Sequence, residues 1–332
     1  MRAWVTAHWR CTSIFEYNAE MHIGLGESLS LLSAMTWAVG VILYRQLVRG
    51  LPPLTLNFNK NLIVLLMLLP LPWVLHGTAP IGIPWPEVLL AMASGALGIA
   101  IADTLYFVAL AQLGAGRMGV IGNAYSPMVI VLSLIWLGER LNYWQITGFC
   151  LVMAGVLVIA RRPEPATVTV AEPVPPPDPE PAGISIKQRP HAVAMLIGLG
   201  AVILMAVAIV MIKPVLEARP LGWVTLLRLV GAILGLVLVA AWRGELRLLS
   251  GRGRRINWKL IAAAAFFGQG LSMVLWLGGY KYAPASIAAV MNETSSVFIL
   301  LLAWWWLREP IGRQGVIGVS LTLPGVALML MH

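Results

Sequence analysis

Four ionisable side chains stand inside long apolar stretches of this 332-residue sequence: Lys60, Asp103, Arg228 and Glu293. On insertion scales a charge at the centre of a bilayer costs at least about 2.5–3.5 kcal/mol, so each needs a partner or a wet cavity. Two chemistries fit these residue types. Lys60 and Arg228 can meet an anionic substrate group. Asp103 or Glu293 can meet a cation or carry a proton, because desolvation of a carboxyl favours its protonated form. The bland alternative is a set of salt bridges that holds helices together. Asn57, Asn59, Asn61, Asn123, Tyr125, Ser126, Gln269, Ser272, Asn292, Thr294 and Ser295 add polar groups at similar levels. Tyr106 and Trp276 are candidates to flank a substrate, although an aromatic in such a stretch more often only packs.

Other chemistries lack their residues. Cys11 and Cys150 are the only cysteines, so neither a disulfide framework nor a cysteine metal cluster is expected. The histidines (His8, His22, His76, His191 and His332) fall in tails, loops or a linker, away from any paired metal or haem geometry. Asp103 and Asp178 are the only aspartates, and Asp178 lies in a Pro-rich segment, so an intramembrane two-aspartate protease lacks its second acid. No GxxxxGK[ST] phosphate loop is present, which argues against ATP-driven transport by this chain alone. No cofactor and no metal are expected.

The elements that must position these groups follow from composition. Hydrophobic residues make up 59% of the chain, charged residues 11%, and the mean hydropathy is +0.83. A soluble domain has about 45–50% apolar and about 25% charged residues, so the bilayer must be the solvent for most of this chain. With roughly 20 apolar residues per crossing, spans fall near 27–44, 54–75, 87–110, 114–137 and 142–160. A second set falls near 192–213, 221–242, 257–279, 284–307 and 311–331. Between the sets, 161–191 carries the run Pro173-Val174-Pro175-Pro176-Pro177-Asp178-Pro179-Glu180-Pro181, an extended spacer that cannot pack a core. Residues 1–24 read as an N-terminal extension, too mixed for a span, with Met21 an alternative start. The expected units are therefore 1–24, 25–160, 161–191 and 192–332.

The two halves repeat. Shifting 98–156 by 170 residues, without gaps, places Gly98 on Gly268, Leu105 on Leu275, Ser126 on Ser296, Glu139 on Glu309, Gly148 on Gly318 and Gly155 on Gly325. Asn123 falls on Glu293 and Tyr106 on Trp276. Leu137-Gly138-Glu139-Arg140-Leu141 followed by Gly148 and Ala154-Gly155, and Leu307-Arg308-Glu309-Pro310 followed by Gly318 and Pro324-Gly325, resemble the EamA-like transporters of the drug/metabolite transporter superfamily. Trp37-Ala38 is similar to that family's repeat opening, and Lys60 stands where it typically carries a basic residue. The resemblance covers about 22–331 and implies a ten-helix exporter or carrier of small metabolites.

An odd number of helices per repeat makes the second copy enter the membrane the other way round. The expected fold is all-α: ten transmembrane helices as two inverted five-helix repeats, with a binding site near the midplane. Fifteen Lys and Arg fall on one membrane side, from Arg45 to Arg313, and six on the other; Lys60 and Arg228 lie inside spans. The positive-inside rule places the fifteen in the cytoplasm and both termini outside, whereas the family usually keeps its termini in the cytoplasm. The net charge of +9 is thus an orientation signal and not a nucleic-acid footprint.

Depth pairs the buried charges. Lys60 is about 9 Å into the second span at roughly 1.5 Å per residue, and Asp103 lies at similar depth from the same face. Arg228 and Glu293 share the opposite face, so one basic–acidic set is expected in each half. Glu139 and Glu309 sit at helix joints, where an acid can accept backbone N–H bonds at the next helix start. Gly116-x-x-Gly119-x-x-Gly122 and Gly268-x-Gly270 allow close helix approach. The expected function is secondary transport of a small polar, amino-acid-like or zwitterionic compound, in the export direction, by alternating access with proton coupling. A bacterial inner membrane is the expected location. The alternatives are a membrane scaffold without transport activity and an enzyme acting on lipid-linked substrates.

Overall fold

A computed structural model describes residues 24–47, 52–76, 82–160, 190–249, 257–307 and 313–330. The expected N-terminal extension and nearly all of the Pro-rich linker lie outside the described residues, as does Glu309. Every described element is helical. The first half holds α1 (Leu25–Leu47), α2 (Pro53–Leu68), α3 (Leu71–His76), α4 (Trp85–Gly95), α5 (Asp103–Gly122), α6 (Tyr125–Trp136) and α7 (Tyr143–Ala160). The second holds α8 (His191–Ala218), α9 (Leu221–Trp242), α10 (Leu246–Leu249), α11 (Trp258–Ala265), α12 (Ser272–Tyr282), α13 (Ala285–Glu293), α14 (Ser295–Leu307) and α15 (Arg313–Met329). A π-helical segment, Ala96–Ala102, joins α4 to α5, and another, Phe266–Leu271, joins α11 to α12.

Proline sets many of the starts. Pro52, Pro84, Pro190, Pro220 and Pro284 each precede a helix with φ between −49° and −59° and extended ψ. The ring supplies a helix-compatible φ, and its missing N–H is no loss where the first turn has no carbonyl to bond. Seven helical runs are long and apolar enough to cross a membrane: Leu25–Tyr44, Leu54–Val74, Trp85–Leu110, Ala192–Ala218, Leu221–Trp242, Trp258–Tyr282 and Ala285–Leu302. Tyr125–Trp136 and Tyr143–Ile159 are shorter apolar helices, and with α15 they complete ten crossings. Large apolar side chains face outward, among them Trp242, Trp305 and Leu238, at 88%, 74% and 69% exposure. On a soluble monomer such a surface would aggregate; here it meets lipid.

The third and fourth spans are joined without a non-helical residue, since α5 is helical from Asp103 to Gly122. The chain nevertheless turns back inside it. A Cβ at Gly198 would meet Ala109 Cβ at 3.3 Å and Met118 Sδ at 3.0 Å, whereas nine residues of straight helix would hold those two roughly 13 Å apart. The matching joint of the second half is opened by Ala283 and Pro284.

The inverted relation is visible in side-by-side contacts. α7 packs along α15, where Gly148 abuts the Gly325 carbonyl and Gly155 abuts the Gly318 carbonyl. A shift of 170 converts Gly148 to Gly318 and Gly155 to Gly325, so the two contacts exchange, as a two-fold axis requires. Likewise α1 packs on α12 as α8 packs on α5. In the first two spans of each half the offset is 168: the cap prolines Pro52 and Pro220 correspond, and Lys60 and Arg228 each lie eight residues beyond them.

Candidate functional site

The site is built where helices depart from regular geometry. The two π segments are repeat-equivalent, and spans four and nine both break near mid-depth, at Asn123-Ala124 and at Thr294. A π turn misaligns the carbonyl ladder, and such turns often mark functional positions. Two carbonyls of the first segment accept side-chain bonds: Asn57 Nδ2 donates to Ile99 O (2.9 Å) and Thr104 Oγ1 to Ala100 O (2.6 Å). The segments also bring neighbours close. Gly98 faces Ala208 and the Arg228 guanidinium, and Gly268 lies against Gly40 and Tyr44.

The expected Lys60–Asp103 pair is present. Lys60 Nζ, 1% exposed, donates to Asp103 Oδ2 at 2.8 Å, and Gln269 Oε1 of the opposite repeat lies 3.4 Å away. The ammonium also sits 5.1 Å from the Phe107 ring centroid and 6.0 Å from that of Tyr44. Phe107 and Tyr44, rather than Tyr106, therefore supply the aromatic walls. Tyr106 packs edge-on against Phe107 at 6.0 Å and belongs to the apolar cluster of Ala109, Leu113 and Met118.

The expected Arg228–Glu293 set is not formed. Arg228 is 2% exposed, and among the described residues no carboxylate lies within ion-pair distance of it. Its Nη1 donates to Ser94 Oγ, which in turn donates to Ala208 O at 2.7 Å. Trp276 lies 5.8 Å from the guanidinium carbon and stacks edge-on with Tyr280 at 5.1 Å. Among the described residues Arg228 Nε has no hydrogen-bond partner. The position that matches Asp103 in the second repeat is Met273, so the acid half of the pair is simply not encoded there.

Glu293 bonds elsewhere. Its Oε1 lies 2.6 Å from Ser126 Oγ of the other repeat, and Ser126 Oγ lies 3.1 Å from Ala289 O. Beside it Tyr125 and Tyr280 hydroxyls meet at 2.9 Å, again across the repeats. Asn123, equivalent to Glu293, is buried, and its Nδ2 has no partner among the described residues. Several residues expected to line a cavity are instead structural. Asn59 donates to Thr55 O and Leu249 O, Asn61 to Asn57, Asn292 to Ala288 O, and Ser272 pairs with Ser33.

Glu139 caps a helix, but in the opposite repeat. It accepts from Ala285 N (2.6 Å), Ser286 N (3.0 Å) and Ser286 Oγ (2.7 Å), at the start of α13. The next helix, α7, closes its own start: Asn142 Oδ1 accepts from Gln145 N and Gln145 Oε1 from Asn142 N, a capping box. The same end of the molecule carries a reciprocal arrangement. Lys213 of α8 donates to Tyr280 O and Ala283 O, while Lys281 of α12 donates to Leu216 O, Glu217 O and Arg219 O. Each cation thus covers the other helix's C-terminal carbonyls. Arg219 forks onto Glu87 at 2.5 and 2.9 Å, and this hydrogen-bonded carboxylate pushes the guanidinium pKa up.

Known proteins agree with this architecture. A solved crystal structure superposes over 91% of this chain and 95% of its own at TM-score 0.69 and 16% identity, a likeness of fold alone. An uncharacterized transporter of Archaeoglobus fulgidus is 28% identical over 131 residues, 40% of this chain and 46% of that protein, so the chain spans about half of that relative. A Klebsiella pneumoniae protein named for the 4-amino-4-deoxy-L-arabinose-phosphoundecaprenol flippase subunit ArnE is 33% identical over 81 residues, 24% of this chain and 72% of that protein. The EamA-like transporter family matches residues 24–161 and again 192–331. With both five-helix halves matched, this integral membrane protein, of a kind found in the bacterial inner membrane, belongs to the EamA-like transporter family.

Proposed function

We propose that this chain is a secondary carrier that moves a small polar or zwitterionic compound by alternating access, without enzymatic activity. The observation that carries the reading is the meeting of buried polar groups across the repeats: Lys60 with Gln269, Ser126 with Glu293, and Tyr125 with Tyr280. Inverted repeats that rock against each other must make and break such contacts, and binding sites of this architecture lie at that interface. Arg228 receives an anionic group of the substrate, and Asp103, already beside Lys60, meets a cationic one. In this reading the carrier works in the export direction, with the fifteen-cation face in the cytoplasm and both termini outside.

Proton coupling is assigned to Glu293. One hydroxyl hydrogen on Ser126 cannot serve two acceptors at once. A proton on Glu293 lets the carboxyl donate to Ser126 while Ser126 donates to Ala289 O. Loss of that proton turns the Ser126 hydroxyl toward the carboxylate. The test is flux of a metabolite panel in oriented vesicles, driven by a pH jump and normalised to inserted protein. Glu293→Gln and Asp103→Asn should each alter the pH-driven component. Wild-type flux in both variants would sink the coupling, and no flux of any compound in the wild type would sink the carrier reading.

A further inference from the structure

The two repeats carry the same kind of residue at the same place with opposite electrostatic outcomes. Lys60 and Arg228 are both eight residues past a cap proline, and both lie beside the π segment of a third or eighth span. Lys60 is neutralised by Asp103 at 2.8 Å. Arg228 has Met273 where that acid would be, and its one hydrogen-bond partner among the described residues is the neutral Ser94. Folding therefore leaves a buried cation with no carboxylate at ion-pair distance among the described residues, an arrangement that an arriving counter-charge stabilises.

The guanidinium is also oriented. Nη1 is held by Ser94, which is itself tied to Ala208 O. The Trp276 face lies 5.8 Å from the guanidinium carbon, and Trp276 is braced by Tyr280. Among the described residues Nε is unpartnered, and Nη2 lies 3.8 Å from where a Cβ on Gly98 would stand, a position that Ala208 Cβ closes to any side chain. The free edge is thus Nε–Nη2, two parallel N–H groups at the spacing of the two oxygens of one oxyanion. Gly98 belongs to the π segment, so the π turn lies directly against that edge.

We infer that Arg228 is the oxyanion subsite of this carrier: its Nε–Nη2 edge binds one carboxylate or phosphate group side-on, while Lys60, consumed by Asp103, binds none. The inference rests on the carrier reading above and narrows it to substrates that bear a single buried oxyanion. Either a water-soluble solute or a lipid-linked head group supplies that chemistry.

The full chain in phosphatidylcholine nanodiscs is titrated with acetate and with inorganic phosphate against chloride at constant ionic strength, with Trp276 emission as readout and Trp276→Phe as the blank. A second arm incorporates phosphatidic acid instead of adding soluble anions. The wild type should show a saturable change. Arg228→Gln should abolish it, and Arg228→Lys, which keeps the buried charge and carries the comparison if the Gln variant does not fold, should weaken binding about tenfold or more, since a charge-assisted hydrogen bond is lost. The neutral double variant Lys60→Gln/Asp103→Asn should keep a saturable response, because acetate and phosphate carry no cationic group for Asp103 to meet and the guanidinium edge is intact. A response to soluble anions assigns a solute, and a response to phosphatidic acid alone assigns a lipid-borne group. No response to either, or loss in the double variant equal to that in Arg228→Gln, overturns the inference. Anion binding without any flux leaves the subsite standing and rejects the carrier. Undiminished flux in Arg228→Gln does the reverse.

Discussion

Glu139→Gln should loosen one end of the molecule without touching the buried charges. The carboxylate accepts three hydrogen bonds, at 2.6, 3.0 and 2.7 Å, from the first turn of α13 in the opposite repeat. A hydrogen bond to a charged group contributes about 1.5–3 kcal/mol and a neutral one about 0.5–1.5 kcal/mol. The amide keeps one acceptor oxygen, so at least one bond is lost and the rest lose charge assistance; the favourable term with the helix dipole, about 0.3–1 kcal/mol, also goes. The contributions are not additive, and a net loss of about 2–3 kcal/mol is expected. If the contact exists only while this end is closed, the closed-to-open ratio falls roughly 30- to 150-fold. The assay places a cysteine at the fully buried Ala289, in a Cys11→Ser/Cys150→Ser background, and measures its modification by a membrane-impermeant maleimide from each side of oriented vesicles. Glu139→Gln should raise the rate at least about tenfold from one side only. Ser286→Ala, which removes one of the three bonds, should act in the same direction by about 1 kcal/mol. Unchanged labelling together with an unchanged Tm in Glu139→Gln would refute the cross-repeat latch.

Three further outcomes are expected. Asp103→Asn leaves the Lys60 ammonium buried and unpaired, which should cost about 3–5 kcal/mol and lower the Tm in detergent, whereas Lys60→Met/Asp103→Leu should recover most of that loss; equal Tm values for the two variants would contradict the pairing. Gly95→Ala drives a Cβ into the Arg228 backbone and should destabilise by about 1–3 kcal/mol, while Gly122→Ala, with open space at its Cβ, should be neutral or stabilising by up to about 1 kcal/mol; thermal unfolding of both variants checks the contrast. A reporter active only in the cytoplasm, fused after His332, should stay dark if the fifteen-cation face is cytoplasmic, and a bright fusion would restore the orientation usual in the family.

The spans, the repeat and the Lys60–Asp103 pair were legible because each depends on position along the chain. Hydropathy is a local property, and depth follows from counting residues at a constant rise. Rotation about the helix axis is different. It advances 100° per residue, so an uncertainty of two residues at a span boundary leaves a side chain's direction undefined. That is why equal depth suggested Arg228 with Glu293, while the packed helices turn Arg228 toward Ser94 and Trp276 and Glu293 toward Ser126. The role of Asn57 was hidden for a related reason: nothing in a local pattern separates a π turn from an α turn, and its acceptor, Ile99 O, lies in the π turn at 96–102. A glycine at 98 and at 268 was the available signal.

What the amino-acid sequence determined by itself is therefore the axial plan: a bilayer-embedded, all-helical chain in two copies of opposite sense, with four charges placed too deep to be decorative. What the tertiary structure decided is partnership. Glu139 caps a helix more than a hundred residues away, two lysines cover each other's helix ends, and one buried cation is neutralised while its counterpart is not. These choices depend on how helices distant in the chain are rotated and pressed together, and only the sum of their packing settles that.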